Sequence, residues 1–348
     1  MAAKSVFDSL LVSHLPNVRY LTGFTGSSGC ALITRRRKAF FTDSRYRLQA
    51  ARQVKEFEIV IAAGPPLLAA CAYIRAKRLR PGVLGYEGAR VSCRELAAVR
   101  RALKGVRLRD ASGFVEEQRL CKDRKEQSRL RRAARLADLA FERLYRSRVV
   151  GRTEREVAWM LEAAMREEGS EPVPFEIIVA SGPRSAMPHG VAGKRIIRSS
   201  ELLVVDLGAS VDGYCCDMTR TFTTGKLAKK QLQIYETVRT AQEMAVNAIK
   251  PGAACSELDR LARDHITAAG YGEAFLHSLG HGVGLEAHEQ PVLSIRSREI
   301  LKAGMTVTVE PGIYLARTGG VRIEDTVLVG KNGPVLLTRY PRELRRLR

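Results

Sequence analysis

The chain has 348 residues, of which 45% are hydrophobic and 27% charged, and it carries a formal net charge of +21. This composition excludes a disordered chain and gives enough length for two domains. No apolar run approaches the roughly 18 residues of a membrane span, and the interrupted segment Met1–Leu15 predicts no secretory signal. Seven scattered cysteines form neither a disulfide framework nor a CxxC zinc motif, which favours a cytoplasmic location.

The positive charge is densest in the first third of the chain. Residues 1–120 hold 22 basic and 9 acidic side chains, a net charge of +13, and residues 121–348 contribute +8. Only Arg35–Lys38 forms a tight basic run, and it lies between two apolar stretches, as a hairpin turn does. Because 44 of the 58 basic residues are arginine, the excess can reflect coding bias. We therefore expect a solvated basic surface and no nucleic-acid partner.

Short apolar runs alternate with helical stretches in the first part of the chain. Strands are predicted at Ser9–Ser13, Cys30–Thr34, Ala39–Thr42, Phe57–Ile61, Val83–Tyr86 and Val106–Leu108, and helices at Tyr46–Lys55, Leu67–Arg78 and Ser92–Leu103. This alternation predicts a smaller α/β domain with a mixed sheet over residues 1–120. No GxGxxG motif follows a strand, so a dinucleotide site is not indicated.

In the second part, strands cluster with strands and helices with helices. Helices are predicted over residues 123–147, after the capping box of Thr153 and Glu156 up to Gly169, at Leu227–Ile249 and at Ser256–Ala269. Strands are predicted at Phe175–Ala180, Leu202–Leu207, Tyr214–Phe222, Met305–Glu310 and Val321–Val329. This grouping is typical of an α+β domain, here residues 121–348. Trp159 and Met160 are interpreted as core residues of their helix.

Two aspartates lie in consecutive apolar strands. Asp206 ends the run Leu202–Leu207, and Asp217 lies within Tyr214–Phe222. If the hairpin is symmetric about residues 211 and 212, the two aspartates are direct cross-strand neighbours, with their Cβ atoms about 5 Å apart. Buried carboxylates this close repel each other unless a cation compensates them. The pair therefore predicts a site for one or two divalent cations.

The same pattern returns near the C-terminus. Glu310 ends one predicted strand and Glu324 lies inside another, with the glycine-rich segment His277–Gly284 and then His288 before them. Each residue alone is more often structural than a ligand, but all of them in this order favour a metal site. Oxygen ligands with one imidazole suit Mn²⁺, Co²⁺ or Zn²⁺. Two such ions about 3.5–4 Å apart are the usual hydrolytic arrangement.

The order Asp206, Asp217, His281, Glu310 and Glu324 resembles the five-ligand dinuclear site of the pita-bread metallopeptidases, family M24. Five segments resemble its proline-specific branch, aminopeptidase P and prolidase: Met187–Gly190, His277–Leu285, Glu286–Glu289, Glu310–Tyr314 and Gly320–Asp325. The strings Asn17–Gly29 and Thr42–Tyr46 are similar to the N-terminal domain of aminopeptidase P. The resemblance implies a creatinase/prolidase-like N-terminal α/β domain and a C-terminal pita-bread catalytic domain.

The resemblance also implies a ligand set and a mechanism. Asp206 would chelate one metal, Asp217 and Glu324 would bridge both, and His281 and Glu310 would complete the ligand set of the second metal. Two divalent ions, Mn²⁺ before Co²⁺ or Zn²⁺, would hold a bridging hydroxide that attacks the scissile carbonyl. Relatives of this kind are usually homodimers, so a homodimer is expected.

Five residues receive catalytic roles by the same resemblance. Glu310 would accept the proton of the attacking water. His189 and His288 would donate hydrogen bonds to the substrate carbonyl and the developing oxyanion. His277 would help hold the proline, and Arg322, on the same strand face as Glu324, would fix a carboxylate or a remote substrate carbonyl.

The favoured interpretation is an Xaa-Pro aminopeptidase, which releases the N-terminal residue from peptides with proline in second position. An Xaa-Pro dipeptidase (prolidase) shares the same motifs and stays open. A methionine aminopeptidase shares the five ligands, but the extra N-terminal domain and the Arg322 string argue against it. A non-catalytic pita-bread binding protein, for which the +21 charge would suit nucleic acid, typically lacks some ligands, and here none is missing.

Overall fold

The structure is a computed structural model that describes residues 7–348. The first six residues of Met1–Leu15, where no secretory signal is predicted, lie outside the described residues. The chain divides into two compact units, with the division between Arg119 and Leu120. Within the described part, no helix is long and apolar enough to cross a membrane.

The first unit contains a six-stranded mixed sheet with the strand order β4-β3-β2-β1-β5-β6. Its strands are β1 (Ser9–Val12), β2 (Cys30–Thr34), β3 (Lys38–Asp43), β4 (Glu58–Ala62), β5 (Val83–Tyr86) and β6 (Arg107–Asp110), and its helices are α1 (Leu15–Thr22), α2 (Arg47–Gln53), α3 (Pro66–Ala76), α4 (Cys93–Ala102) and α5 (Phe114–Arg119). The mixed sheet that the sequence predicts is confirmed. Helices α1 and α5 were not predicted, because eight and six residues are too short to show a helical period.

Both faces of this sheet are covered, as strand β1 shows. Leu11 belongs to one hydrophobic core, which includes side chains of α3 and α4, and Leu10 and Val12 belong to another. Successive side chains of a strand point to opposite faces, so a continuous apolar run is what a strand with two buried faces requires.

The second unit combines four long helices with several small sheets. The helices are α6 (Arg124–Arg146), α7 (Glu154–Glu167), α8 (Lys229–Ala248) and α9 (Cys255–Ala268). The strands are β7 (Ile178–Ser181), β8 (Leu202–Leu207), β9 (Ser210–Val211), β10 (Tyr214–Cys215), β11 (Met218–Thr223), β12 (Gly280–Gly282), β13 (Glu289–Leu293), β14 (Thr306–Val309), β15 (Gly312–Leu315), β16 (Gly319–Arg322), β17 (Asp325–Gly330) and β18 (Gly333–Leu336). This is the α+β architecture that the sequence predicts.

The sheets of the second unit place the acidic residues between two helical layers. One sheet has the order β11-β8-β7 and another the order β13-β12-β14-β17-β18. Helices α6 and α7 share one hydrophobic core with β8 and β11, and α8 and α9 share a second core with β14 and β17. Trp159, interpreted as core, is 72% exposed on the outer face of α7, so that interpretation is wrong.

The predicted register of the aspartate hairpin is also wrong. Asp206 pairs with Thr219, and Val211 pairs with Tyr214. The turn residues Asp212 and Gly213 both have positive φ, +50° and +79°, as a two-residue type I′ turn requires. Centring the turn on these residues shifts the pairing by two positions, so Asp217 is not directly opposite Asp206.

Three of the acidic residues lie where strands end rather than within them. Asp217 lies between β10 and β11, Glu310 between β14 and β15, and Glu324 between β16 and β17. The segments Tyr214–Phe222 and Val321–Val329 were each predicted as one strand, and each is interrupted at its carboxylate. Such breaks let a side chain leave the strict alternation of a strand and turn toward a shared site.

Candidate metal centre

The structure brings four of the five predicted ligands into direct proximity. Ligand atoms of Asp217, His281 and Glu324 all lie within 4.8 Å of one another. His281 Nε2 is 3.8 Å from Asp217 Oδ2 and 3.3 Å from Glu310 Oε1. Asp206 is close enough for its charge to act on both Asp217 and Glu324. The five residues therefore form one cluster.

Three carboxylate oxygens in this cluster lack a donor. Asp206 Oδ1, Asp217 Oδ1 and Glu324 Oε1 are buried and accept no hydrogen bond from any residue in the described range 7–348. A buried anionic oxygen without a partner is costly. Divalent cations remove that cost, and four carboxylates with one imidazole are a suitable donor set. The residues present therefore fit the divalent metals that the motif implies.

The backbone around His281 aims one ring nitrogen at the cluster. Its Nδ1 lies 3.0 Å from the carbonyl oxygen of Gly282, so Nδ1 carries the proton and Nε2 is left for a metal. A Cβ atom at Gly280 would lie 2.1 Å from the carbonyl oxygen of Thr308. Only glycine at that position allows β12 to approach β14 this closely, as the glycine-rich segment predicts.

The electrostatics of the cluster are those of carboxylates that need a cation. Burial, and then the charge of Glu324, raises the pKa of Asp217 well above its usual range. Burial, and then the charge of Glu310, raises the pKa of Glu324 in the same way. Burial also opposes ionisation of Glu310, but the hydrogen bond and charge of His281 outweigh it and lower the pKa of Glu310 to about 2. Asp217 and Glu324 thus lack a compensating positive charge like the one that His281 gives to Glu310.

Arg322 is almost completely buried, at 3% exposure, and its guanidinium is bound on every side. It donates to Asp206 Oδ2 at 2.7 Å, to the Tyr314 hydroxyl at 2.9 Å and to the carbonyl oxygen of Pro188 at 3.1 Å. Its Nε donates to Thr219 Oγ1 at 3.1 Å. Arg322 was expected to fix a carboxylate or a remote substrate carbonyl, and the carboxylate that it holds is that of Asp206.

The three histidines that were given catalytic roles lie around the cluster. His277 Nε2 is 2.8 Å from the Tyr314 hydroxyl, and burial lowers the pKa of His277. The ring of His288 lies 4.2 Å from the ring of His281, and burial followed by the charge of His281 lowers the pKa of His288. His189 is exposed, and its charge acts on both His277 and His288.

Two hydroxyl groups of this network were not singled out in the sequence. Thr219 donates to Glu324 Oε2 at 2.6 Å and accepts from Arg322, so it links a ligand to the buried arginine. Tyr314 joins His277 to Arg322. Tyr314 ends the segment Glu310–Tyr314, which carries the family resemblance, and Thr219 lies in the predicted strand Tyr214–Phe222, but no pattern of spacing marks either as a polar partner.

The loop that carries His189 is held by a buried glutamate outside the cluster. Glu154, at the start of α7, accepts from the backbone nitrogens of Ser181 at 2.9 Å and Gly193 at 3.1 Å. It also accepts from Arg184 Nε at 2.9 Å. The two ends of the loop over residues 181–193 are thus fixed to one fully buried carboxylate. The sequence gives no signal for this, since an acidic residue in the first turn of a helix is ordinary.

The fold and this buried centre define a metal-dependent peptidase with an added N-terminal domain. Residues 128–331 match metallopeptidase family M24, and residues 1–121 match the creatinase/prolidase N-terminal domain. The chain belongs to metallopeptidase family M24. This match confirms the family resemblance and the class of enzyme.

Relatives along the whole chain carry names from the proline-specific branch. A solved structure described as an Xaa-Pro dipeptidase from Bacillus anthracis is 42% identical, with a TM-score of 0.94, over 98% of this chain and 95% of that one. An X-Pro aminopeptidase from Thermotoga maritima is 34% identical, with a TM-score of 0.91, over 98% of each chain. An Xaa-Pro dipeptidase of Pyrococcus horikoshii is 37% identical over 98% of this chain and 95% of that protein.

Proposed function

We propose that the chain hydrolyses the Xaa-Pro peptide bond and releases the N-terminal residue from peptides with proline in second position. The observation that carries this proposal is the cluster of Asp206, Asp217, His281, Glu310 and Glu324, with its three unpartnered buried oxygens. These five residues would hold two divalent ions, with Mn²⁺ the first candidate and Co²⁺ or Zn²⁺ next. When bound, the ions supply Lewis-acid activation of a water and of the scissile carbonyl.

The residues around the cluster then have separate tasks. Glu310 accepts the proton of the attacking water, since its carboxylate is ionised at neutral pH. The lowered pKa of His288 keeps its imidazole neutral, with one N–H to donate to the substrate carbonyl or the developing oxyanion. His189 supplies a second such donor. Arg322 acts by holding the carboxylate of Asp206 and the loop carbonyl of Pro188 in place.

Proline specificity is supported by the chemistry of the bond. The X-Pro amide has no N–H, and the ring fixes φ, so a cleft built for ordinary peptides positions it poorly. His277, held by Tyr314 and packed edge-on against Phe275 at 5.2 Å, offers a flat wall for the pyrrolidine ring.

An Xaa-Pro dipeptidase is the second candidate, because the B. anthracis and P. horikoshii relatives carry that name. The two candidates differ only in the length of peptide that is accepted. The test is hydrolysis of Xaa-Pro dipeptides and Xaa-Pro-Yaa tripeptides by the Mn²⁺-loaded chain, with Xaa-Ala peptides as matched controls. Release of the N-terminal residue from tripeptides supports the aminopeptidase, and cleavage of dipeptides alone supports the dipeptidase. Cleavage of neither, or of Met-Ala peptides in preference, refutes the proposal.

The organisation of the chain is proposed on the same basis. Residues 1–120 and 121–348 are proposed as the two domains, in agreement with the two family matches. A homodimer is proposed from the family resemblance, and a cytoplasmic location from the seven scattered cysteines. Light scattering of the purified full chain measures the first, and a monomer at micromolar concentration would contradict it.

A further inference from the structure

Two surface cavities adjoin each other on the first unit. The larger has a volume of about 620 Å³ and the smaller about 230 Å³, and both are lined by Leu79 and Arg80. Their linings contain seven exposed cationic side chains, named here the cationic edge: Arg35, Arg36, Arg75, Arg78, Arg80, Arg101 and Lys104. In the sequence only the first two of these belong to a tight basic run, and the fold gathers the others around them.

The cationic edge lacks counter-charges. None of its seven side chains has an ion pair with any residue between 7 and 348, whereas the neighbouring Lys38 pairs with Glu56 at 3.0 Å. One carboxylate, Asp8, lines the smaller cavity, and it already accepts from the backbone nitrogens of Gly82 at 2.9 Å and Val83 at 3.2 Å. The potential of this surface is therefore positive, and it attracts anionic partners.

Helix stabilisation explains only part of this arrangement. Arg75 and Arg101 lie in the last turns of α3 and α4, where a cation interacts favourably with the helix dipole. That reason does not apply to Arg35, which lies in the turn between β2 and β3, or to Arg80, which lies in the segment before β5. A role in the binding of an anion accounts for all seven.

Arg78 is a separate indication of function, because its backbone conformation favours glycine at this position. Its φ is +50°, and its N–H donates to the carbonyl of Arg75 while the N–H of Leu79 donates to that of Ile74. This is the Schellman end of α3, at the position where glycine is strongly preferred. An arginine at this position adds a charge to the cavity at a cost in stability, as functional residues often do.

We propose that the cationic edge binds the phosphodiester backbone of a nucleic acid without selectivity for bases. Six of the seven side chains are arginine, whose planar guanidinium pairs with phosphate through two parallel hydrogen bonds. The cations follow two connected cavities, which suits a chain of phosphates more than a single anion. Among residues 7–348, neither cavity has an aromatic side chain in its lining, so these residues offer no stacking platform from which base preference would arise.

This site is independent of the proposed peptidase activity, and it would replace the expectation that nucleic acid is no partner. The test is fluorescence anisotropy of the Mn²⁺-loaded full chain with labelled oligo(U), oligo(A) and oligo(dT) of about 20 nucleotides. With five to seven phosphates neutralised, log K should fall with log salt with a slope of about −3.5 to −5. Equal affinities for the three probes are expected. An affinity that does not depend on salt, or that depends strongly on the base, overturns the proposal.

A matched pair of triple variants locates the binding. Substitution of Arg75, Arg101 and Lys104 by Gln should reduce the slope by about 2. Substitution of Arg296, Arg298 and Lys331 by Gln removes the same charges from exposed positions of the second unit and should leave the slope unchanged. Xaa-Pro hydrolysis by both variants should equal that of the parent. Equal weakening by both triples would mean that net charge alone binds the oligonucleotide, which overturns the site.

Arg78→Gly separates the loss of binding from the loss of folding. Glycine relieves the left-handed backbone, so Tm should rise by about 2 °C. The loss of one cation should still reduce the salt slope by about 0.7. Unchanged oligonucleotide binding by this variant contradicts the proposal, and so does tighter binding of the parent to phosphatidylglycerol vesicles than to the oligonucleotides.

Discussion

Two groups of arginines in this molecule differ in how their charge is compensated. Arg220 and Arg322 are 2% and 3% exposed, and each pairs with a buried aspartate, Asp325 and Asp206, at 2.7 Å. The seven cations of the cationic edge are exposed and have no ion pair in the described part of the chain. Water compensates an exposed charge, whereas a buried charge requires fixed partners.

The two buried arginines also differ from each other. Arg220 makes hydrogen bonds with Asp325 and with several backbone carbonyls, including that of Tyr340, and the Asp325 oxygens are shared with Gln242 and Arg342. Arg322 holds one oxygen of Asp206 and leaves the other without a donor. Both oxygens of Asp325 accept hydrogen bonds, so the Arg220 pair needs no further partner. One oxygen of Asp206 has no donor within residues 7–348, so the Arg322 pair is fully compensated only when a cation binds. The comparison thus separates an ion pair that stabilises the fold, Arg220 with Asp325, from one that belongs to the candidate metal centre, Arg322 with Asp206.

The largest effect is expected from removal of a ligand charge. Asp217→Asn keeps the shape of the side chain but removes one anion from the centre. Metal content and Xaa-Pro hydrolysis should both fall, the latter by roughly 1000-fold or more, since the metals contribute several kcal/mol to the transition state. Elemental analysis and steady-state kinetics measure the two quantities.

The same variant should be more stable than the parent when both are treated with EDTA. The raised pKa of Asp217 means that its ionised form destabilises the fold at neutral pH, so a gain of about 1–3 kcal/mol is expected from urea unfolding. Burial opposes ionisation of Glu201, but the hydrogen bond and charge of Arg195 outweigh it and lower the pKa of Glu201. Glu201→Gln is therefore the control, and it should destabilise the fold. If both variants lose stability, the centre is not an uncompensated cluster.

The second prediction compares the buried arginines directly. Arg322→Met should cost about 3–5 kcal/mol in EDTA-treated protein, because Asp206 is left buried without a partner. With Mn²⁺ present the cost should be smaller by about 1 kcal/mol or more, since a ligand that binds the folded state compensates the same carboxylate. Arg220→Met should cost a similar amount in both conditions. Equal metal dependence of the two variants would remove the distinction between them.

The third prediction concerns a buried carboxylate that needs no metal. Glu154→Gln places an amide where four donors converge, so the loop over residues 181–193 should loosen and the fold should lose about 1–3 kcal/mol. Because Pro188 in this loop binds Arg322, KM for Xaa-Pro substrates should rise more than kcat falls. Glu201→Gln, at a carboxylate paired with Arg195 outside the loop, is the control. A variant with unchanged kinetics would show that Glu154 supports stability alone.

The sequence was most informative about the metal cluster. Asp206, Asp217 and the later histidines and glutamates are each ordinary alone, but their order along the chain indicated one site without the fold, so the cluster could be predicted. The hairpin register was missed although Asp-Gly is a preferred pair for a type I′ turn, because the turn was centred on residues 211 and 212 instead of on Asp212 and Gly213. The strand breaks at Asp217 and Glu324 follow from contacts between distant segments, such as the Glu324 N–H to the Thr219 carbonyl at 3.0 Å.

Surface residues were harder to interpret than buried ones. Trp159 was interpreted as core because an apolar residue on an amphipathic helix is usually buried. The pattern of apolar residues along the helix does not show which of them a neighbouring element will cover. The cationic edge was also invisible as a cluster, since Arg36, Arg80 and Arg101 are far apart in sequence. A linear count of charges shows the excess but not the surface on which the fold collects it.

The smallest effect is expected at a single exposed cation. Lys104→Gln should change the free energy of unfolding by less than about 0.5 kcal/mol, because Lys104 is exposed and has no ion pair within residues 7–348. Urea unfolding at low and high salt measures this, and the difference should vanish as salt screens the neighbouring cations. A loss above 1 kcal/mol would show that Lys104 has a partner in the folded chain. Lys104 would then be compensated within the chain, and its charge would not be available to an external anion.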